Sequence, residues 1–463
     1  MNRAKLSSLS VALASLMATI HLLGFAQATT VLSGLFLLIF VVLEWPLLIL
    51  AAQGVVLTAL GVFLFFWSLG RTTPELLGQG IDRAAFFVCF VVVLSFLGDA
   101  AKTSKMVQTS GRIIVNQTPG RRYFTLALGG HLMGVLMSLG TVTLLSTMIH
   151  GSVTQGAQTA EQRIRDIRLQ RMTLAMLRGF SAVVFWAPTS VTIAIILSSS
   201  LQLRWIELLP LGLPALMCYL ALGWLLDRLT YPRPKPGTIT VSEEPWLRPF
   251  AGLLGVIFLV PMFAGLVSYL FDLPLIGGLF LCMPVIGLGW VVLQNKRAGP
   301  RRAVALTLRR ARRKTIPSLR DLRNEMTIFG ASGFLAVILL PQIDVVWLGE
   351  IITRVGLGEG GVLVAGSWVI ILLALIAVNP LVSATLVIET LVRLPTVNLD
   401  PTIIAFMISV TWGTIVGFSP FAASVRLTAR GINRAAAEVG MKWNFLFSLS
   451  AVVLLDACLL LFL

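Results

Sequence analysis

Long apolar stretches alternate with short polar connections along the whole chain. Apolar stretches of about 17–25 residues can cross the hydrocarbon core of a bilayer as helices. The pattern predicts eleven such spans, at 9–26, 30–45, 47–69, 84–98, 179–200, 207–228, 249–270, 275–294, 326–347, 401–425 and 444–463. Two further apolar segments, 123–149 and 361–392, are rich in small and polar residues. We predict an all-α polytopic membrane protein in which these two segments form re-entrant hairpins.

The composition agrees with this class of protein. Of the 463 residues, 57% are hydrophobic and 12% are charged, whereas soluble domains have about 45–50% and about 25%. Basic residues outnumber acidic ones by 36 to 20. In a soluble protein such an excess would suggest nucleic-acid binding, so the position of the basic residues along the chain matters.

The basic residues orient the predicted spans. With the N-terminus on the inner side and two re-entrant hairpins, the inner segments hold 31 of the 36 basic residues. The other five are Arg71, Arg83, Arg204, Arg354 and Arg393. Such a bias is typical of cytoplasmic loops, and an ordinary span in place of either hairpin would remove it. We therefore expect a multi-pass protein of the inner membrane with a cytoplasmic N-terminus, an outer C-terminus and no nucleic-acid partner.

The first residues allow two interpretations. Arg3 and Lys5, the apolar run that follows them, and the small residues at 26–28 resemble a cleavable signal peptide. The alternative, which we favour, is an extra helix over 1–29 that precedes the rest of the fold.

Cysteine and histidine give no sign of metal chemistry. The four cysteines lie in predicted spans without paired spacing, and the three histidines form no HExxH-type cluster. We expect no metal site and no cofactor apart from a coupling ion.

A short pattern occurs once in each half of the chain. Residues 185–191 (FWAPTSV) and 418–425 (FSPFAASV) both place a proline among small hydroxyl residues within a span. Residues 141–145 (TVTLL) and 383–387 (SATLV) precede them in the two hairpins. Apart from the first span, each half contains five spans. Because this number is odd, the second copy would have the opposite orientation in the membrane. Inverted repeats with interrupted helices are typical of secondary transporters.

The repeats define the predicted domains. The extra helix 1–29 is followed by a first repeat, 30–228, a cytoplasmic linker, 229–248, and a second repeat, 249–463. The hairpins at 123–149 and 361–392, the broken helices at 179–200 and 401–425, and a basic cytoplasmic arm at 295–325 lie within the repeats.

The prolines mark candidate binding positions. A proline within a helix removes one backbone hydrogen bond and blocks another, and in lipid the freed groups need partners. Pro188 and Pro420 are flanked by hydroxyl residues, which could satisfy the backbone or bind a polar solute or ion. The half-helix N-termini at such breaks favour an anion.

In this plan the sequence resembles the ion transporter superfamily, which includes divalent-anion/sodium symporters, tripartite-transporter large subunits and arsenite permeases. The resemblance covers roughly residues 30–463. It implies a homodimer that works by an elevator motion, with a substrate and ion site at the hairpin tips and helix breaks. By position, the site would contain Ser138, Thr141, Thr143, Pro188, Thr189, Ser190, Asn379, Pro380, Ser383, Thr385, Ser419, Pro420 and Ser424. The symporters carry Ser-Asn-Thr triplets at the hairpin tips, and neither hairpin here has one.

Three ionisable residues in or near apolar segments are further candidates. Glu389 could couple protons, or could pair with Arg393 four residues later. His131 lies among glycines and could couple protons, contact substrate, or serve as a polar residue at a close helix interface. Arg426 could contact an anion, or could reach the membrane surface as an interfacial arginine.

Two basic segments, 161–178 and 296–323, combine arginines with apolar residues at helical spacing. We expect both to lie along the inner membrane surface as amphipathic helices that attract anionic lipids. They could link fixed and moving parts of the protein.

The sequence favours one function over two others. We expect a secondary active transporter, not an enzyme, for a small polar metabolite, with an anion preferred and Na⁺ or H⁺ as coupling ion. A domain built from 123–228 and 361–463 would slide against the remaining spans. No ATP-binding GxxxxGK[ST] segment occurs. The alternatives are a membrane-embedded enzyme acting on a lipid-linked substrate, which needs an acidic or histidine cluster, and a channel, which needs a continuous polar stripe.

Overall fold

The computed structural model describes residues 3–24, 28–155, 162–231 and 247–461, and within them the chain forms helices and no strand. The all-α prediction is confirmed for this part of the chain. The chain divides into two compact units. Unit 1 contains 1–100, 260–349 and 381–395, and unit 2 contains 101–259, 350–380 and 396–463.

The α-helices follow one another with short connections. They are α1 Arg3–Leu22, α2 Ala28–Glu44, α3 Leu50–Ser68, α4 Pro74–Thr103, α5 Lys105–Val115, α6 Pro119–Met137, α7 Leu139–Gln155, α8 Gln162–Ser181, α9 Val191–Leu197, α10 Trp205–Thr230, α11 Leu247–Phe271, α12 Leu275–Gln294, α13 Pro300–Arg310, α14 Ile316–Ser318, α15 Arg323–Leu339, α16 Val345–Val355, α17 Glu359–Leu375, α18 Pro380–Arg393, α19 Pro401–Phe418, α20 Ala423–Gly431 and α21 Phe445–Leu461. Short 3-10 turns occur at Trp45–Leu47, Ala182–Phe185, Lys296–Ala298, Leu319–Leu322 and Leu340–Gln342, and π turns at Ala311–Thr315 and Glu438–Trp443.

Many helices are long and apolar enough to cross a membrane. In the described residues there are nine such helical segments: Arg3–Leu22, Ala28–Leu47, Leu50–Ser68, Pro74–Thr103, Trp205–Thr230, Phe250–Phe271, Leu275–Gln294, Pro300–Gln342 and Pro401–Gly431. Helices α16 and α17 meet the criterion only together and are bent by 118° at their junction. The chain is a polytopic helical membrane protein, while the count of eleven spans stays a prediction.

Unit 1 has its core where the first helices meet the later ones. Helix α1 packs along α2, and Val11, Phe40, Val88 and Met326 form a buried cluster. Helix α3 packs along α15. A second cluster joins these two helices to Val382 of α18.

Unit 2 is built around helix α8, which packs against α6 and α7. A Cβ atom on Gly130 would lie 2.4 Å from the Met176 carbonyl oxygen, and one on Gly179 would lie 1.8 Å from that of Ala127. Only glycine allows these two backbones to approach so closely. The glycines around His131 therefore serve the close helix packing that the sequence suggested.

The basic arm of the second half is partly tied into unit 1. Arg310 pairs with Asp99 at 2.8 Å, and Arg320 and Arg323 lie 3.4 and 3.9 Å from Glu44. Other basic residues of the arm are exposed, together with the apolar side chains Val304, Leu306 and Leu308. An amphipathic helix is present in α13, but three of the eleven arginines and lysines of 296–323 form ion pairs within the protein.

The other basic segment differs from the prediction. Within 161–178, the described residues belong to α8, which continues to Ser181 without interruption. From Met172 onward every residue of this helix is buried, including Arg178. The prediction of a surface helix is wrong for the end of this segment, because the helix enters the core of unit 2.

Candidate functional site

Both proline-containing breaks lie in unit 2. In the first, α8 passes into the 3-10 turn Ala182–Phe185, and the chain turns through 186–190 before α9. In the second, α19 ends at Phe418 and α20 begins at Ala423. Helix α19 contacts α8, α9 and the 3-10 turn of the first break. The structure thus interrupts the helices near Pro188 and Pro420, and the interrupted helices pack against each other.

The hydroxyl groups of the first break satisfy the backbone. Thr189 donates its Oγ1 hydrogen to the Val135 carbonyl at 2.9 Å, and Ser190 Oγ accepts from the Ile193 N–H at 3.2 Å. Ser190 is thereby the N-cap of α9. Of the two roles considered for these hydroxyls, the structure shows the backbone role.

The second break is held in the same way. Ser419 Oγ donates to the Ala374 carbonyl of α17 at 2.8 Å. Ser424 Oγ donates to the Val416 carbonyl, across the break that contains Pro420. Both serines are buried, so they hold the break together internally.

The first predicted hairpin, 123–149, falls on helices α6 and α7. Helices α6 and α7 contact each other and are separated by Ser138, whose φ of 48° lies in the left-handed region. Ser138 and Thr143 are exposed. Thr141 is fully buried, and its Oγ1 makes no hydrogen bond within the described residues. Among the hydroxyls of this hairpin, Thr141 thus combines full burial with an unpaired oxygen in the described residues.

The two arms of the second predicted hairpin fall in different units. Helix α17 belongs to unit 2, whereas 381–395 of α18 belong to unit 1. Asn379 and Pro380 stand where α18 begins, after Ala377 with φ of 69°. Ser383 and Thr385 are buried in unit 1. These two hydroxyls therefore belong to unit 1, whereas the breaks at Pro188 and Pro420 belong to unit 2.

His131 is held by two protein partners. Its Nε2 accepts from the Trp186 indole N–H at 3.0 Å, and its Nδ1 lies 3.2 Å from the Gly179 carbonyl oxygen. Since Nε2 accepts, the proton is on Nδ1, which donates to Gly179. This neutral ring links α6, α8 and the first break, and protonation would remove the bond from Trp186.

The other two ionisable candidates differ in burial. Glu389 interacts electrostatically with Arg83 of α4, within unit 1, while Arg393 is exposed. Arg426 is exposed, as the interfacial interpretation predicted. Glu389 is an acid and Arg426 is exposed, so neither is a buried cation beside the breaks.

The buried cation near the breaks is Arg178. It is the last residue of the basic segment 161–178, which was expected at the inner membrane surface. Only 5% of its surface is exposed. Nε donates to Asn444 Oδ1 at 2.9 Å, and Nη1 donates to the Gly223 carbonyl at 3.1 Å and to the Tyr123 hydroxyl at 3.4 Å. The guanidinium carbon lies 4.3 Å from the centre of the Phe447 ring. The apolar run 174–177 directly before it was the sequence signal for burial.

Asn444 connects Arg178 to the second break. Its Oδ1 accepts from Arg178, and its Nδ2 donates to the Gly417 carbonyl at 3.0 Å. Gly417 lies two residues before Ser419, at the end of α19. One asparagine therefore joins the helix of the first break to the helix of the second.

Further cations surround the N-terminal half of α8. Arg171 forms a bidentate pair with Asp227 at 3.0 and 2.7 Å. Burial, followed by the like charges of Arg168 and Arg171, lowers the pKa of Arg122 to about 10. Positive charge therefore exceeds negative charge in this group of residues.

A metal ion has no evident site. No group of three or more histidine, cysteine, aspartate or glutamate side chains that could hold a metal occurs in the described part of the chain.

Comparisons with known proteins add little to this description. No family model matches the chain, and no curated protein matches it. Among solved structures it is similar to the crystal structure of the Alcanivorax borkumensis YdaH transporter, with 14% identity and a TM-score of 0.41 over 81% of this chain and 87% of that chain. A likeness of this strength carries no inference about function.

Proposed function

We propose that the protein is a secondary active transporter that moves a small polar metabolite, with an anion preferred, across the inner membrane. The observation that carries this proposal is the pair of interrupted helices packed together in unit 2, joined by Arg178 and Asn444. Interrupted helices at membrane depth are tolerated where they are buried in protein or line a cavity, and in transporters they form the substrate site.

The composition of the two units supports an elevator motion. Unit 2 contains the first hairpin and both breaks, whereas unit 1 contains α1, α2, α3, α12 and α15. In the proposed mechanism unit 2 carries the solute, and unit 1 is the fixed part. Unit 2 overlaps the moving domain expected from the sequence, 123–228 and 361–463, except at 381–395, and it also contains 101–122, 229–259 and 350–360.

The coupling ion is proposed to be Na⁺ or H⁺. The Thr141 hydroxyl, buried without a partner in the described residues, supplies an oxygen of the kind that a sodium ion prefers. Glu389, beside Arg83, is the proposed alternative for protons. Dependence of uptake on each gradient separates the two.

Two partners complete the proposal. Exposed arginines of the basic arm, such as Arg312 and Arg313, suit anionic lipids at the cytoplasmic face. The resemblance to the ion transporter superfamily suggests a homodimer.

Reconstitution into proteoliposomes tests the function. We expect saturable uptake that requires a sodium or proton gradient, and collapse of the gradient with an ionophore should abolish it. Flux that persists without a gradient would indicate a channel, and absence of flux across a broad solute panel would contradict transport.

A further inference from the structure

Arg178 is a buried cation whose partners in the described residues are all neutral. They are an amide oxygen, a phenol hydroxyl, a backbone carbonyl and an aromatic ring. A buried charge is costly unless a charge of opposite sign accompanies it. Arg171, two helical turns earlier on α8, has such a partner in Asp227. Arg178 forms no ion pair in the described residues, so its burial needs another explanation.

Some N–H donors of the Arg178 guanidinium make no hydrogen bond in the described residues. Arginine has five N–H donors, of which four lie on its two terminal nitrogens. Nε and Nη1 are used by Asn444, Tyr123 and Gly223, while Nη2 makes no hydrogen bond within the described residues. Carboxylates and phosphates are the acceptors that match a guanidinium best.

The position of Arg178 connects such a ligand to both helix breaks. Arg178 lies one turn before α8 gives way to the 3-10 turn Ala182–Phe185. Through Asn444 it also reaches the Gly417 carbonyl at the end of α19. A ligand on Nη2 would therefore contact the first broken helix directly and the second through one asparagine.

The neighbouring charges favour the approach of an anion. Arg171 and Arg178 are seven residues apart and share one stripe of α8, with a rise of about 10 Å between them. Arg122 and Arg168 add positive charge near Arg171, as the lowered pKa of Arg122 shows. Asp227 neutralises only part of it.

We propose that Arg178 binds the anionic group of the transported solute, a carboxylate or a phosphate, through Nη2, and that Asn444 positions its guanidinium. This inference rests on the proposed transport function and names its substrate class. It assigns the anion preference to a side chain, in place of the helix termini considered from the sequence.

The experiment measures binding and transport separately. Purified protein in neutral detergent is titrated with acetate, succinate and inorganic phosphate, with sucrose as the neutral probe, and thermal unfolding reports binding. We expect at least one anion to stabilise the wild-type protein. Arg178→Gln should weaken that anion about 10- to 100-fold, the usual range for a charged hydrogen bond, and Arg178→Lys should weaken it less.

Two further variants control for structural effects. Arg112→Gln removes an exposed arginine of the same unit and should leave anion binding unchanged. Asn444→Ala keeps the charge of Arg178 but removes its positioning partner, so it should weaken the anion less than Arg178→Gln. An Arg178→Gln protein that is folded and binds anions with unchanged affinity would overturn the inference.

Transport data distinguish this inference from the proposed function. Gradient-driven uptake of neutral solutes alone, equal in wild type and Arg178→Gln, would overturn the anion site and leave the transporter intact. Anion binding that depends on Arg178, without uptake of any solute, would support the site and contradict transport. Stabilisation by phosphatidylglycerol but by none of the three free anions would assign Nη2 to a lipid headgroup and overturn the solute assignment.

Discussion

Two arginine sites, one in each unit, show different ways of accommodating a cation in a membrane protein: Arg320 and Arg323 are half-buried, and Arg178 is buried. In unit 1, Arg320 and Arg323 face Glu44, a carboxylate with no exposed surface. In unit 2, the partners of Arg178 within the described part of the chain are all neutral. The first arrangement places a carboxylate between two cations and so stabilises the fold. The second leaves a net positive charge, which suits a residue that meets an anion during function.

The acid in unit 1 also explains how the basic arm is fixed. Arg323 donates to the Leu47 carbonyl at 3.1 Å as well as facing Glu44. The arm thereby joins the end of α2, while Arg310 holds it to Asp99 on α4. In these contacts the charges stabilise the fold. We therefore expect loss of Glu44 to lower stability more than loss of Arg178.

The largest expected effect on stability is that of Glu44→Ala. Removing one partner of a buried ion pair leaves an uncompensated charge and typically costs about 3–5 kcal/mol. We expect a decrease of this size in the free energy of unfolding, measured in mixed micelles. Glu350→Ala, which breaks an exposed pair with Arg354, is the matched control and should have little effect. Equal stability of the Glu44 variant and wild type would show that the pair does not hold the arm.

Asn444→Ala should have the next largest effect. It removes the acceptor of Arg178 Nε and the donor to the Gly417 carbonyl, and an unsatisfied buried polar group costs about 1–3 kcal/mol. Because the asparagine joins the two breaks, uptake should decrease more than stability alone would predict. Unfolding in micelles and uptake in proteoliposomes measure the two effects. Asn116→Ala, at an exposed position, should change neither.

Gly417→Ala changes the other partner of the hydrogen bond between Asn444 and the Gly417 carbonyl. A Cβ atom there would lie 2.9 Å from Ser181 Oγ and 3.1 Å from Asn444 Nδ2. Both neighbours are side-chain atoms that can shift, so we expect a loss near the lower end of the overpacking range, about 1 kcal/mol. Gly255→Ala meets no atom within 4 Å and should be neutral or stabilising in a helix. If both variants behaved alike in thermal unfolding, close packing at Gly417 would not matter.

The comparison also shows which features a sequence can reveal. The breaks at Pro188 and Pro420 and the hairpin tip at Ser138 were predictable, because proline and small hydroxyl residues have local effects on the backbone. The membrane class followed from apolar length alone. These are properties of neighbouring residues.

Arg178 was not predictable in the same way. It closes a run of arginines on α8 that appears uniform along the chain, and only the apolar residues 174–177 suggested burial. Its environment depends on Gly223 and Asn444, which are 45 and 266 residues away in sequence. The electrostatic interaction of Glu389 with Arg83 was equally hard to foresee, since Arg83 comes from a distant helix. Long-range partners decide whether a charge is structural or functional.

The smallest expected effect concerns arginines of the arm for which the described residues provide no acid partner. Arg309, Arg312 and Arg313 are exposed, in contrast to Arg310, which pairs with Asp99. Basic residues near an anionic surface contribute about 1 kcal/mol each. We expect each Arg→Gln substitution among the three to reduce stabilisation by phosphatidylglycerol by about this amount, measured by thermal unfolding at low salt.

Arg310→Gln sharpens the contrast between the two kinds of arginine in the arm. It should lower stability in neutral detergent, because the ion pair with Asp99 is lost, yet leave the response to anionic lipid nearly unchanged. Salt should weaken the lipid effect at Arg309, Arg312 and Arg313, because exposed charges are screened beyond about 10 Å at 0.1 M. A lipid response that depended on Arg310 as strongly as on Arg312 would mean that the ion pair opens at the membrane, and the separation of structural from lipid-binding arginines would fail.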